Sequence, residues 1–122
     1  MHARDKFLLS HTDGENRLLA PLYWKAGIDV ADSVCPAPMT SCTLGDLFEA
    51  WAGRITVWGG IPSVLLCKDG TTWEQFRRFV DDVIERHGRR SRFVLGVSDM
   101  VTADAEWDRL CYISEKVAAM AN

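Results

Sequence analysis

His11, Asp13 and Asp99 are the side chains of this 122-residue chain best placed, by type and spacing, to do chemistry. His11 and Asp13 lie two apart in Ser10-His11-Thr12-Asp13-Gly14, so on a continuing strand they point to the same side. An imidazole and a carboxylate converging at a strand end act as a general base with its orienting group, or as two metal ligands. Gly14 lets the backbone turn or approach a ligand closely. Ser98-Asp99 ends a later apolar run, and Gly59-Gly60 offers two positions without side chains where a bulky cofactor or a phosphate can come close. Asp32-Ser33 ends another run, and Asp29 within it needs a partner or a solvated barrel interior. Local roles compete with each of these. Asp13 or Asn16 can hold the next helix's N-terminus, Ser98-Asp99 can form a turn or cap, and Gly59-Gly60 can be a tight turn.

These groups sit where apolar runs stop, so the elements that position them are strands. The expected strands are Lys6 to Ser10, Ile28 to Ala31, Arg54 to Trp58 and Arg92 to Gly96, apolar runs of the kind that suit strands buried on both faces. A helix is expected after each. The first runs from Glu15 to Lys25 with Leu18, Leu19, Leu22 and Tyr23 on one face; Pro21 must start or bend it, and Gly27 ends it. The second runs from Leu44 to Ala52 behind a Thr43 cap. Thr71 and Thr72, with Glu74 and Gln75, give overlapping capping boxes for a third, whose stripe is Trp73, Phe76, Phe79, Val80, Val83 and Ile84 and which Gly88 stops. Thr102 or Asp104 caps the last, with Trp107, Leu110, Cys111, Ser114, Val117 and Ala118 inward. The order is four βα units over residues 1–122. This is an α/β chain with a parallel sheet, and half the count of a (β/α)₈ barrel. The first strand begins almost at Met1, as in a chain cut at an element boundary. In such folds ligands sit at the carboxyl ends of the strands.

Bulk properties narrow the function classes. A net charge of −3 leaves no basic footprint for nucleic acid. No apolar stretch nears the roughly 18 residues of a membrane span, and the charged start has no apolar region behind it to make a signal peptide. Cys35, Cys42, Cys67 and Cys111 have no CxxC spacing and read as reduced thiols, mostly small buried hydrophobes, in a cytoplasmic protein. His2 and His87 read as incidental. A cation at His87, in a helix's last turn, is mildly favoured.

From Phe7 to Val117 the chain resembles the C-terminal half of the uroporphyrinogen decarboxylase superfamily, which includes cobalamin-linked methyltransferases and demethylase-type relatives. The resemblance is carried by His11-Thr12-Asp13-Gly14, Gly27-Ile28-Asp29-Val30, Val57-Trp58-Gly59-Gly60-Ile61-Pro62-Ser63, Arg92-Phe93-Val94-Leu95-Gly96-Val97-Ser98-Asp99 and the helix from Asp104, in that order and spacing. It implies half of a (β/α)₈ barrel with its pocket at the strand carboxyl ends. His11, Asp13 and Asp99 then stand on the reactive rim, with Gly59, Gly60 and Ser98 toward a cofactor. The methyltransferase branch has His-x-Cys-Gly after the matching first strand and a further Cys after the last, which bind zinc. Here Asp13 stands at the Cys place, and Ser98-Asp99 near the last. His11 and Asp13 therefore suit zinc or a harder divalent metal, less selectively than thiolates do. In the decarboxylases the third segment resembles Gly-Asn-Leu-Asp-Pro, and the last strand ends in a Gly-His-Gly type sequence. This chain has neither.

The first expectation is thus an enzyme of the methyl-transfer or demethylating branch with a small-molecule substrate and a corrinoid protein as partner. The alternative within the family is a metal-free tetrapyrrole decarboxylase. A third, of another class, is a half-barrel without activity of its own. Its open edges and exposed apolar surface would favour a homodimer or higher assembly.

Overall fold

Each of the four apolar runs forms a strand in the computed structural model, which describes residues 2–120. The strands are β1 (Leu9–His11), β2 (Val30–Val34), β3 (Thr56–Pro62) and β4 (Phe93–Ser98). They alternate with helices α1 (Ala20–Tyr23), α2 (Leu44–Trp51), α3 (Trp73–His87) and α4 (Trp107–Met120). The sheet is entirely parallel, in the sequential order β1-β2-β3-β4.

That order has a consequence for the two faces. Right-handed crossovers between successive neighbours place every helix on the same side. On that side Ala31, Val34, Val57 and Ile61 pack with Leu44, Leu47 and Trp51 of α2 and Phe76, Val80 and Val83 of α3. Fully burying side chains of this kind contributes about 1.5–3 kcal/mol each. Register puts Leu9 beside Val30, Val30 beside Thr56, and Trp58 beside Val94, all on the opposite face. That face is bare: Leu9, Trp58 and Val94 are 46%, 43% and 44% exposed. Parallel sheets ordinarily have both faces covered.

Local chemistry sets the starts of α2 and α3 as expected, whereas α4 begins at Trp107, past the expected Thr102 or Asp104 cap. Thr43 caps α2 and forms a capping box with Asp46, and Thr72 does the same for α3 with Gln75. The first helix is far shorter than its expected Glu15–Lys25 range. Pro21 restricts α1 to a single turn, and before it Asn16 holds a turn through its side-chain bonds to Thr12 O and Gly14 O. Of the expected inward face only Tyr23 is buried, its hydroxyl donating to Asn16 Oδ1 at 2.9 Å, while Leu18, Leu19 and Leu22 are exposed.

The last helix is rotated from its expected orientation. Arg109, Tyr112 and Ile113 face the protein together with Leu110 of the expected stripe, while Trp107, Ser114, Val117 and Ala118 lie outward, Trp107 being 73% exposed. Arg109 decides this. Its guanidinium is buried and donates to Leu65 O at 2.7 Å, Thr71 O at 2.9 Å and Glu106 Oε2 at 2.7 Å, and lies 5.2 Å from the Phe76 ring centroid. A buried cation held by three acceptors fixes the helix face more firmly than an apolar stripe with nothing to meet. No helix among the described residues is long and apolar enough to cross a membrane.

Candidate functional site

The carboxyl ends of β1, β2 and β4 bring His11, Asp32 and Asp99 to one rim. His11 is the last residue of β1 and is in register with Asp32 of β2, so both side chains rise from the bare face. Nδ1 of His11 lies 2.8 Å from Asp32 Oδ2, and Nε2 lies 3.0 Å from Asp13 Oδ1. A neutral imidazole carries one N–H and can donate to only one of these carboxylates. The arrangement therefore calls for an imidazolium, or for a cation between Nε2 and Asp13. The hydrogen bond to Asp32 is the largest influence on the His11 pKa and raises it above its ordinary value; burial opposes it, and the charges of Asp13 and Asp32 add to the rise.

Asp99 completes the cluster. Ligand atoms of His11, Asp13 and Asp99 all lie within 4.8 Å of one another, on three exposed residues. Two strained positions place them. Ser33 (φ 63°) and Asp99 (φ 62°) both adopt left-handed backbone, uncommon for side chains of this kind. At Ser33 the β2–β3 register shifts between Ala31 and Val34, while on the β1 side Asp32 stays in register with His11. The two strained residues support each other: Asp99 N donates to Ser33 Oγ at 2.6 Å, and Ser33 N donates to Asp32 Oδ1 at 2.8 Å. Asp13, Gly14, Ser33, Cys35, Met39, Thr40 and Asp99 line a cleft of about 50 Å³ beside the cluster.

A second set of bonds anchors the loop that carries Asp13. Glu15 accepts from Ser41 N at 2.7 Å, Ser41 Oγ, Cys42 Sγ at 3.1 Å and Arg17 N at 3.0 Å, which holds its carboxyl down at about 2. Arg17 reaches across to Ser41 O at 2.8 Å. The loops after β1 and β2 are thereby joined.

Other expected residues lie away from this cluster. Gly59 and Gly60 lie inside β3, which runs on past Trp58, and do not end it. A Cβ on Gly59 would meet Val34 O at 2.5 Å and Val34 N at 2.8 Å. One on Gly60 would meet Phe93 at 3.2 Å and Leu44 at 3.3 Å, so both glycines serve close packing within the protein. Ser98, expected to face a cofactor, is fully buried. Its hydroxyl donates to Val34 O and accepts from Gly60 N at 3.1 Å, bridging three strands below the rim. Asp29 precedes β2 and is satisfied by Leu8 N at 2.7 Å and by His2 Nε2 at 2.8 Å, so His2 is not incidental. His87 is not a helix-end cation: burial pushes its pKa down, and its buried Nδ1 has no partner among the described residues. All four cysteines are free thiols, and burial holds Cys35 up at about 11, far from a ready nucleophile.

Asp32 is the residue that reading along the sequence left outside the site. Its position at the end of the second run, matched to that of His11 in the first, was the available signal. No family model matches this chain, and searches of curated proteins and of solved structures find no match to it.

Proposed function

We propose that the four βα units are half of a (β/α)₈ barrel of the uroporphyrinogen decarboxylase type, and that His11 is its reactive-rim residue, in the methyl-transfer or demethylating branch. The single observation that carries this reading is His11 held between Asp32 and Asp13 on the bare face, at the carboxyl ends of the strands. The sequential strand order with one uncovered face supports the half-barrel.

The donor set fits a divalent cation. Asp32 fixes Nδ1–H of His11, leaving Nε2 to bind outward beside Asp13, the carboxylate–histidine pairing typical of metal sites. One imidazole and two carboxylates suit manganese or magnesium as well as zinc, and no thiolate stands ready to select zinc. When bound, such a cation supplies Lewis acidity that lowers the pKa of a thiol or water held on it. The chain's own residues do the positioning: Asp32 orients the ring, Ser33 holds the Asp99 backbone, and Glu15 anchors the loop bearing Asp13. A cleft of about 50 Å³ is too small for a corrin ring, so a corrinoid would arrive on a partner protein at the open rim. Metal-free decarboxylation is the second reading. The raised His11 pKa favours it, since a charged imidazole is a proton donor to a carbanion.

Calorimetric titration with Mn²⁺ and Zn²⁺ tests the first reading. One ion is expected to bind per chain, binding is lost in His11→Gln and Asp13→Asn, and it weakens about 10–100-fold in Asp32→Asn. No binding of either ion, or binding that survives both substitutions, would overturn it.

A further inference from the structure

The geometry points to a second copy of this chain as the occupant of the bare sheet face, the two copies closing one eight-stranded barrel around a two-fold axis. The inference rests on the half-barrel reading above and adds to it the identity of the other half. Area is the first argument. The chain exposes 7687 Å² at a mass of 13.7 kDa, against about 6,600 Å² for a folded monomer of that size. The excess of about 1,100 Å² exceeds the roughly 800 Å² that each partner gives to an interface of standard size.

Where the excess lies is the second argument. It is found at the two ends of the sheet and on the face between them. Leu9, Trp58 and Val94 occupy the bare face. At the β4 end, α4 turns Trp107 and Val117 outward, and Trp107, Leu110 and Cys111 line an open groove. At the β1 end, Phe7, Leu18 and Leu22 are exposed, Leu18 by 84%. Within the chain α1 packs on α2 and α3 on α4. The next contact in that series is α4 of one copy against the α1 side of the other. A two-fold axis along the strands keeps all strands parallel. The β4 edge of each copy then pairs with the β1 edge of its partner, and both open edges vanish. The partner also contributes to the site, because both His11 clusters stand on one shared mouth.

Charge-pair complementation tests this. Leu9 and Val94 are half exposed in one copy, so Leu9→Lys and Val94→Glu are expected to fold alone, with circular dichroism unchanged. By light scattering the wild-type chain is expected at twice 13.7 kDa and each variant at 13.7 kDa. Mixing the variants is expected to restore the dimer, since one junction is then wild type and the other pairs Lys with Glu. A wild-type monomer at every concentration, or a dimer indifferent to both substitutions, would overturn the proposal. Two monomeric variants that fail to recombine would overturn the head-to-tail pairing. Cation titration reads the His11 cluster of each copy separately: a wild-type chain that is monomeric and still binds Mn²⁺ refutes the second copy while the site reading stands.

Discussion

Replacing Gly59 by alanine separates two reasons for a glycine: freedom to approach a ligand and space demanded by the fold. Gly59 has φ 137°, and the added Cβ would lie 2.5 Å from Val34 O and 2.8 Å from Val34 N. The conformation alone costs about 1–3 kcal/mol. The contact costs more, because the obstructing atoms are backbone of the β2 bulge and no side chain can swing aside. Parting β2 from β3 there also disturbs Ser98, whose Oγ is 3.0 Å from the same Cβ and links both strands. A total loss of at least about 4 kcal/mol is expected, a large share of the roughly 5–15 kcal/mol available to a domain. For a domain of this size that lowers the midpoint by about 15 °C, at close to 0.25 kcal/mol per degree. Gly14→Ala is the control. Gly14 has φ 76° and nothing within 4 Å of the added Cβ, so only the conformational cost of about 1–2 kcal/mol remains. Urea unfolding of both variants measures the difference. Equal losses for the two, or a Gly59→Ala loss under about 2 kcal/mol, would show that the β2–β3 approach does not require the glycine.

Three further outcomes follow from the charged and buried groups. The His11 ring should titrate above its ordinary value by NMR, and Asp32→Asn should bring it down, since the Asp32 hydrogen bond is the largest cause. This contribution to stability is complete below the unfolded pKa and lost as pH rises through the folded one, so wild type should lose stability relative to Asp32→Asn across that interval. Glu15 behaves oppositely: its carboxylate stabilises above the ordinary value of 4.5 and ceases to as pH falls toward about 2, so Glu15→Gln should flatten the acid limb of the stability curve. His87→Phe should raise stability by up to about 1 kcal/mol, by removing the partnerless Nδ1 and keeping an aromatic ring against Phe48; a loss in chemical denaturation would show that Nδ1 is satisfied in solution.

The strands and two of the helices were legible because their signals are local. The Thr43 and Thr72 caps act within four residues, and the Phe76–Val80–Val83 stripe finds a core to meet. Where a distant group decided the outcome, the local signal misled. Leu110 of the α4 stripe meets the core, but Arg109 turns Trp107 and Val117 outward by binding carbonyls some 40 residues away in sequence. Gly59-Gly60 reads as a strand end because glycine disfavours strands, yet β3 continues through it, with β2 too close to Gly59 and the Phe93 and Leu44 side chains close to Gly60. His11, Asp13 and Asp99 were visible as polar strand ends. Asp32 needed the parallel register, which sets it beside His11 across 21 residues of chain.

The rim also shows why strain and function belong to the same place. Two left-handed residues, a register shift and three carboxylates around one imidazole are all costly features, and all lie at the ends of β1, β2 and β4. Elsewhere the sheet is regular, with six consecutive register pairs between β3 and β4. A sheet needing only stability would carry the regular register to its end and leave Ser33 in the β region. Instead the left-handed Ser33 aims its backbone N–H at Asp32 Oδ1, on the carboxylate whose other oxygen meets His11 Nδ1, and its hydroxyl holds the backbone of Asp99. Removing the strain should therefore stabilise the protein and impair the site together. Ser33→Gly relieves the left-handed backbone at once, but it deletes the hydroxyl that holds Asp99. Gain of stability with loss of cation affinity is the expected pair of results. A variant that gains stability and binds Mn²⁺ as well as wild type would show that the strain does not serve the cluster.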